Sequence, residues 1–167
     1  MTQEVDVASS VGYALKRAAV ALRAAMDVAL APLDLTVSQY SCLELLDQRP
    51  GLSSAALARG VFLTRQSMQS LLLGLQERGL VHRQATAQHG RALPAALTPG
   101  GAELRREASR AVADVERRML AAIPPEGQQR LLGDLDACVV ALTAGGGDAL
   151  PRSAAGRDDD GPRARGR

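Results

Sequence analysis

The chain of 167 residues has very few aromatic residues: it contains no tryptophan, one phenylalanine and two tyrosines. Hydrophobic residues still make up 46% of the sequence, so alanine, leucine and valine must fill the core. Such side chains suit close-packed helices, and the composition therefore predicts a mainly α-helical fold. The length suits one domain with a substantial core and is too short for two comfortable ones.

Long apolar runs are also missing. No apolar stretch of the sequence is long enough to span a bilayer. The first ten residues, MTQEVDVASS, lack the basic start and apolar centre of a signal peptide. We therefore expect a cytoplasmic protein that has no association with a membrane.

Cysteine and histidine are scarce, with two residues of each. Cys42 and Cys138 fall on apolar positions of predicted helices, which favours two reduced, buried side chains. A disulfide or a redox sensor is the alternative, although nothing nearby in sequence would lower the pKa of either thiol. His82 and His89 are too scattered to build a closed zinc site with these cysteines, so we expect neither metal nor cofactor.

Catalytic motifs are absent from the sequence as well. Gly145-Gly146-Gly147 follows a predicted helix, whereas a phosphate-binding glycine loop leads into one. Both histidines lie on predicted strands of one hairpin, away from any nucleophile and orienting acid. An enzyme is therefore disfavoured.

The stretch from Leu57 to Val81 carries the clearest functional signal. It reads as a short helix, a turn at residues 60–63, a second helix that Thr64 caps, and a glycine stop at Gly79. A helix-turn-helix reader of DNA needs this order, because one helix braces while the next presents polar side chains to base edges. In the second helix, apolar residues predict an inward face and the early polar residues a DNA-reading face: Arg65, Gln66, Ser67, Gln69 and Ser70.

A strand, a basic turn and a second strand follow this segment, over Val81–Thr86 and Leu93–Leu97. They occupy the place of a wing, and an arginine at its tip, Arg91 beside His89, can enter a minor groove. Charge supports the prediction, since residues 53–98 contain five arginines and one glutamate in a chain whose net charge is only +2. A local basic field supplies most nonspecific affinity for DNA.

Helices flank this central region. Apolar spacing predicts one from about Ala8 to Leu30, one that opens at Thr36 with Gln39 in a capping box, one from Pro99 with a stripe reaching Ala122, and a last one after Pro125. The terminal helices carry apolar stripes that the central region has little surface to cover, notably Leu15, Leu22, Val115, Leu135 and Leu142. A second subunit is the natural cover, so we expect a homodimer.

These elements divide the chain into three parts. We assign 1–34 and 99–144 to dimerisation helices, 35–98 to a winged helix-turn-helix domain that binds DNA, and 145–167 to a disordered tail of Gly, Pro, Arg and Asp.

Several short motifs occur in an order that resembles the MarR family of winged-helix transcription regulators, from about Val11 to Thr143. The most specific are at the ends of the predicted helices and in the wing: Leu35–Tyr40, Ala56–Ala58, Leu63–Ser67, Gly79–Val81, Arg91-Ala92 and Leu97–Gly101. The resemblance implies a homodimeric regulator, a repressor by preference, on a near-palindromic operator. It places Thr64 through Ser67 and Arg91 on the DNA-contacting positions of the family.

The resemblance also implies that small aromatic or phenolic ligands bind between the dimer and DNA-binding regions and release the DNA. Our candidates for that site are Tyr13, Arg17, Met26 and Tyr40, of which Tyr13 and Arg17 share one helix face. The alternative is that the tyrosines are simply packed and Arg17 is solvated.

The sequence departs from the family pattern at several positions. Many members carry arginine where this chain has Ser70, and Asp-Arg where it has Leu73-Gly74. Gly12 stands where the peroxide-sensing branch has its reactive cysteine, which argues against that chemistry. These departures leave open an alternative function, a winged-helix module for protein interaction that no longer reads DNA.

Overall fold

The computed structural model describes residues 6–83 and 95–144, and helices account for most of both ranges. The elements in chain order are α1 (Val11–Leu30), a 3₁₀ turn (Ala31–Leu33), α2 (Val37–Gln48), α3 (Ser54–Gly60), α4 (Arg65–Glu77), β1 (Val81–Arg83), β2 (Ala95–Leu97), α5 (Pro99–Leu120) and α6 (Pro125–Thr143). Among the described residues, no helix is both long and apolar enough to cross a membrane.

The chain divides into two units, one ending at Pro124 and the other beginning at Pro125. The first unit contains α1 to α5 and the hairpin, and it holds the hydrophobic core. The second contains α6, along which several apolar side chains are exposed in the single chain: Leu131, Leu132, Val139, Val140 and Leu142.

Hydroxyl side chains start the helices of the first unit, as the sequence indicates. Their oxygen atoms accept a hydrogen bond from a backbone N–H in the first helical turn, and the capping residues are Ser10, Thr36, Ser53, Thr64 and Thr98. The predicted capping box of α2 is confirmed, because the Gln39 amide oxygen also accepts from the Thr36 N–H at 2.9 Å.

The first helix begins later than the sequence analysis expected. It starts at Val11 rather than near Ala8, because Ser10 caps it through the Tyr13 N–H. Asp6 holds the preceding residues in a turn, with its carboxylate accepting from the Ala8 N–H at 3.0 Å. At the other end of the first unit, α5 stops at Leu120, so Ala122 lies outside the helix whose stripe it was expected to extend.

The two strands form the base of the predicted wing. They pair antiparallel, with Val81 opposite Leu97 and Arg83 opposite Ala95. The hairpin prediction is confirmed over these residues. The outer parts of the predicted strands, the turn between them and the tail 145–167 lie outside the described residues.

The core is built mainly from leucines, together with valines, alanines, one methionine and one cysteine. Its fully buried side chains include Leu43 of α2, Leu57 of α3 and Leu75 of α4. Cys42 is among them, and burial raises the pKa of its thiol to about 12, so the group stays protonated and unreactive at neutral pH. The prediction of two buried cysteines is wrong for Cys138, which is exposed on α6.

Helices α1 and α5 pack against each other within the first unit. This packing corrects part of the expectation of uncovered stripes, because Val115 is only 3% exposed and Leu22 is half-buried in the single chain. Several apolar side chains of α1 nevertheless remain exposed, with Leu15 of the expected stripe among them: Val11, Tyr13, Leu15, Val20 and Val28.

A close backbone approach joins the start of α5 to the end of α4. Gly101 is buried in the first turn of α5, and a Cβ atom built there would lie 1.9 Å from the Leu80 carbonyl oxygen. The Thr98 hydroxyl reinforces the contact by donating to the Gly79 carbonyl at 2.7 Å while it accepts from the Gly101 N–H at 3.0 Å. Only glycine fits at position 101.

Gly101→Ala should therefore lower the free energy of unfolding by about 3 kcal/mol, the upper end of overpacking costs, because backbone atoms cannot yield as a flexible side chain can. The matched control is Gly100→Ala, whose Cβ would meet only the Thr98 hydroxyl at 3.8 Å. It should be neutral or gain about 0.5–1 kcal/mol. Urea unfolding at one protein concentration measures both, and equal stabilities for the two variants would contradict the clash.

Candidate nucleic-acid interface

The brace helix and the turn follow the order that the sequence predicts, but the helix extends one residue further and includes Gly60. Helix α3 ends at Gly60, where a Cβ would lie 2.6 Å from Leu45 Cδ1 of α2, so this glycine lets the two helices approach closely. The Leu63 N–H donates to the Ala58 carbonyl at 2.8 Å and closes the turn. Thr64 then caps α4 directly.

Helix α4 divides into an inner and an outer face. Met68, Leu72 and Leu75 are buried in the core. The predicted DNA-reading residues are all exposed on the outside, and we call them the polar face: Arg65, Gln66, Ser67, Gln69 and Ser70. Leu73 continues the exposed surface one turn further along.

Local hydrogen bonds fix the hydroxyl groups of this region. The Thr64 hydroxyl donates to Ser67 Oγ at 2.8 Å and accepts from the Ser67 N–H at 3.1 Å. Ser70 donates to the Gln66 carbonyl at 3.3 Å. Within residues 6–83 and 95–144, no hydrogen bond or ion pair holds the guanidinium of Arg65. This long side chain is exposed at the start of the polar face.

The electrostatics of α4 favour an anion at its N-terminus. Its first turn contains no acidic residue, so the positive end of the helix dipole is uncompensated. Arg59 adds a second exposed cation in the last turn of α3. Arg78, by contrast, is paired with Asp34: it donates to the Asp34 carbonyl at 2.7 Å and lies 3.5 Å from its carboxylate. The positive field therefore depends less on Arg78 than the sequence count suggests.

Only the base of the predicted wing belongs to the described residues. His82 is exposed on β1. His89 and Arg91, which the sequence analysis places in the wing turn, lie outside the described residues.

A polar network that sequence reasoning missed connects α2 to α5. Arg105 lies 3.4 Å from a Glu44 carboxylate oxygen and 3.0 Å from Asp47, while Ser109 donates to Glu44 at 2.6 Å. The Tyr40 hydroxyl, 3.4 Å from Ser109 Oγ, therefore acts as the donor in that pair. Burial raises the pKa of Tyr40, and the nearby Glu44 carboxylate acts in the same direction.

The candidate ligand residues do not come together in one place. Tyr13 and Arg17 line a groove of about 690 Å³ along α1, beside Lys16 and Val20. Met26 and Tyr40 are not among the lining residues of that groove, and Tyr40 instead belongs to the α2–α5 network. A smaller groove of about 330 Å³ lies between α1 and α5, where Leu22 and Val115 meet Met119.

A brace helix, a capped helix with a polar face and a wing define a winged helix-turn-helix protein of the kind that binds DNA. The profile of the MarR family matches residues 33–92. The HTH-type transcriptional repressor Rv2887 of Mycobacterium tuberculosis is 42% identical over 118 residues, which cover 71% of this chain and 85% of that protein.

Solved structures of that mycobacterial protein are also similar to this chain. The structure of its complex with DNA has a TM-score of 0.65 at 35% identity and covers 78% of this chain and 98% of the other. Its complex with salicylic acid has a TM-score of 0.66 at 36% identity, covering 83% and 99% respectively.

The chain belongs to the MarR family and is a DNA-binding transcription regulator rather than an enzyme. The alternative, a winged-helix module that no longer reads DNA, is not favoured by relatives that are named as repressors.

Proposed function

We propose that two copies of this chain bind a near-palindromic operator through the polar face of each α4, repress transcription there, and release the DNA when a small aromatic acid binds. The observation that carries the proposal is the capped N-terminus of α4, where exposed Arg65 and Gln66 stand at the positive end of the helix dipole. The similarity to a transcriptional repressor supports repression rather than activation. Because the target is chromosomal DNA, the proposed place of action is the cytoplasm.

The two longest side chains at the start of α4 are assigned to base reading. Arginine pairs with guanine and glutamine with adenine through two hydrogen bonds each in the major groove. Ser67, Gln69, Ser70 and the Thr64 cap are assigned to the remaining polar contacts, and His89 and Arg91 to the wing contact. Phosphate contacts then position the helix without specifying sequence.

Arg65→Ala should lose about 1–3 kcal/mol of operator affinity per half-site, because a bidentate base contact is removed. The preference for operator over random duplex should fall at the same time. Fluorescence anisotropy with an operator selected from genomic fragments measures both quantities.

Arg106→Ala is the matched control for charge. Arg106 is a comparably exposed arginine on α5, and Glu103 pairs with it at 2.6 Å. Its removal should leave both affinity and preference unchanged. If Arg65→Ala instead weakens operator and random DNA by the same factor, Arg65 is a phosphate contact and not a base reader.

The dimer is assigned to α1, α5 and α6. Exposed apolar side chains on α1 and α6 are a poor surface for a lone chain, and Leu142 of α6 is 85% exposed. Obligate dimer interfaces resemble a domain core, so they cover such side chains. In a symmetric dimer, the two α4 helices can read two half-sites that lie one helical turn apart on the DNA.

Leu15→Asp should therefore disrupt the assembly, because a carboxylate would replace one of these apolar groups. Light scattering should give twice the chain mass of 17.5 kDa for the unaltered protein and a loss of the folded dimer for the variant. Leu73→Asp is the control: Leu73 on α4 is 57% exposed, against 46% for Leu15, but lies on the proposed DNA side. A compact, folded monomer of the unaltered protein at micromolar concentration would overturn this part of the proposal.

The groove along α1 is assigned to the ligand. Tyr13 offers an aromatic wall, and Arg17 with Lys16 offers cations for a carboxylate. All its lining residues belong to α1, so a partner subunit must supply a facing wall. The relative that binds salicylic acid suggests the ligand class.

Salicylate should bind more weakly in the presence of operator, and by the same factor that salicylate weakens operator binding, because coupling between two sites is reciprocal. Calorimetric titration with and without operator measures the factor. Arg17→Ala should abolish the coupling by removing the carboxylate partner. Arg23→Ala, on the same helix but ion-paired with Asp27 at 3.6 Å, should leave it intact. Identical salicylate affinity in both titrations would exclude release by this compound.

A further inference from the structure

The turn between α3 and α4 holds the only phenylalanine of the chain in a conformation that disfavours it. Phe62 has a φ of 58°, in the left-handed region, and its side chain is 70% exposed. Two hydrogen bonds require this backbone: the Phe62 N–H donates to the Arg59 carbonyl at 3.2 Å and the Leu63 N–H to the Ala58 carbonyl at 2.8 Å. Together they form the helix ending that normally contains glycine at this position.

Helix α4 ends in the same way but with the residue that the geometry favours. Gly79 has a φ of 68°. Its N–H donates to the Gln76 carbonyl at 2.9 Å, and the Leu80 N–H donates to the Leu75 carbonyl at 2.9 Å. A Cβ atom makes the left-handed conformation unfavourable, and a large side chain gains nothing from burial when it stays in solvent. Phe62 therefore strains the backbone without any compensating burial, and such strain at an exposed residue points to a function.

The place of Phe62 indicates what it contacts. It stands two residues before Thr64, so its Cα lies within roughly 8 Å of the cap of α4, given about 3.8 Å between consecutive Cα atoms. The major groove is only about 12 Å wide, so a residue this close to the inserted helix end meets the groove edge, where the sugar–phosphate backbone runs. Exposed cations flank it on both sides, Arg59 before and Arg65 after.

We propose that Phe62 packs its ring against a deoxyribose of the operator backbone, while Arg59 contacts a neighbouring phosphate. The ring is uncharged and apolar, so the carbon face of the sugar is its complement and the phosphate is not. The contact adds affinity without reading sequence. This role rests on the proposed use of the polar face for DNA binding.

Phe62→Gly and Phe62→Asn test the role, because both residues accept the left-handed backbone. Their melting temperatures should be no lower than that of the unaltered protein. Affinity for operator and for random duplex should both fall about tenfold per half-site, because burying roughly 60 Å² of apolar surface changes a binding constant by about that factor. The dependence of affinity on salt should not change, since no phosphate charge is involved.

Phe62→Tyr is the matched control, since it keeps both the ring and the strained backbone; it should bind DNA as the unaltered protein does. Unchanged affinity in Phe62→Gly overturns the proposal and leaves a protein partner as the reason for the ring. A loss confined to the operator overturns it in favour of a base contact, and a lowered melting temperature makes Phe62 a packing residue. Arg65→Ala measured beside these variants separates the two ideas: if it loses preference while Phe62→Gly does not lose affinity, only the sugar contact fails.

Discussion

The arrangement of this protein depends on one close contact, the first turn of α5 against the backbone that leaves α4. Gly101 approaches the Leu80 carbonyl without a side chain between them, and the Thr98 hydroxyl donates to the Gly79 carbonyl and accepts from the Gly101 N–H. The same Leu80 carbonyl accepts from the Thr98 N–H at 3.1 Å beside the strand pair. The end of α4, the base of the wing and the start of α5 therefore meet through the same few contacts. The direction of α4 is thereby tied to that of α5.

The α2–α5 network adds a second attachment between the same parts. Glu44 receives hydrogen bonds or ion pairs from Arg105, Ser109 and Gln48, so several groups must stay in register. Partly buried polar networks tolerate little displacement, because each lost partner leaves a desolvated group unpaired. With α5 fixed both to the end of α4 and to α2, the first unit resists internal shear. If a ligand binds at α1 as proposed, its effect is then more easily expressed as a change in the spacing of two subunits than as a distortion within one.

Local signals explain why much of the fold could be predicted from the sequence. Each cap involves residues three apart, as Thr64 and Ser67 do, and the apolar period of α4 assigns its two faces without knowledge of the rest. Long-range partners were not predictable in this way. Arg78 bonds to Asp34 across 44 positions, and Ser109 bonds to Glu44 across 65. The exposure of Cys138 and the burial of Val115 depend likewise on which helices meet, and apolar spacing alone does not contain that information.

The three aromatic side chains occupy three different regions of the structure. Tyr13 lies in the α1 groove, Tyr40 in the network between α2 and α5, and Phe62 in the turn before α4. Because the chain has no tryptophan, its intrinsic fluorescence comes from the two tyrosines alone. Tyr13 is half-exposed, whereas Tyr40 donates a hydrogen bond from a half-buried hydroxyl. A quencher in solution therefore reaches the two rings to different extents. The protein thus contains its own pair of optical reporters, one for the groove and one for the interior junction, without an introduced label.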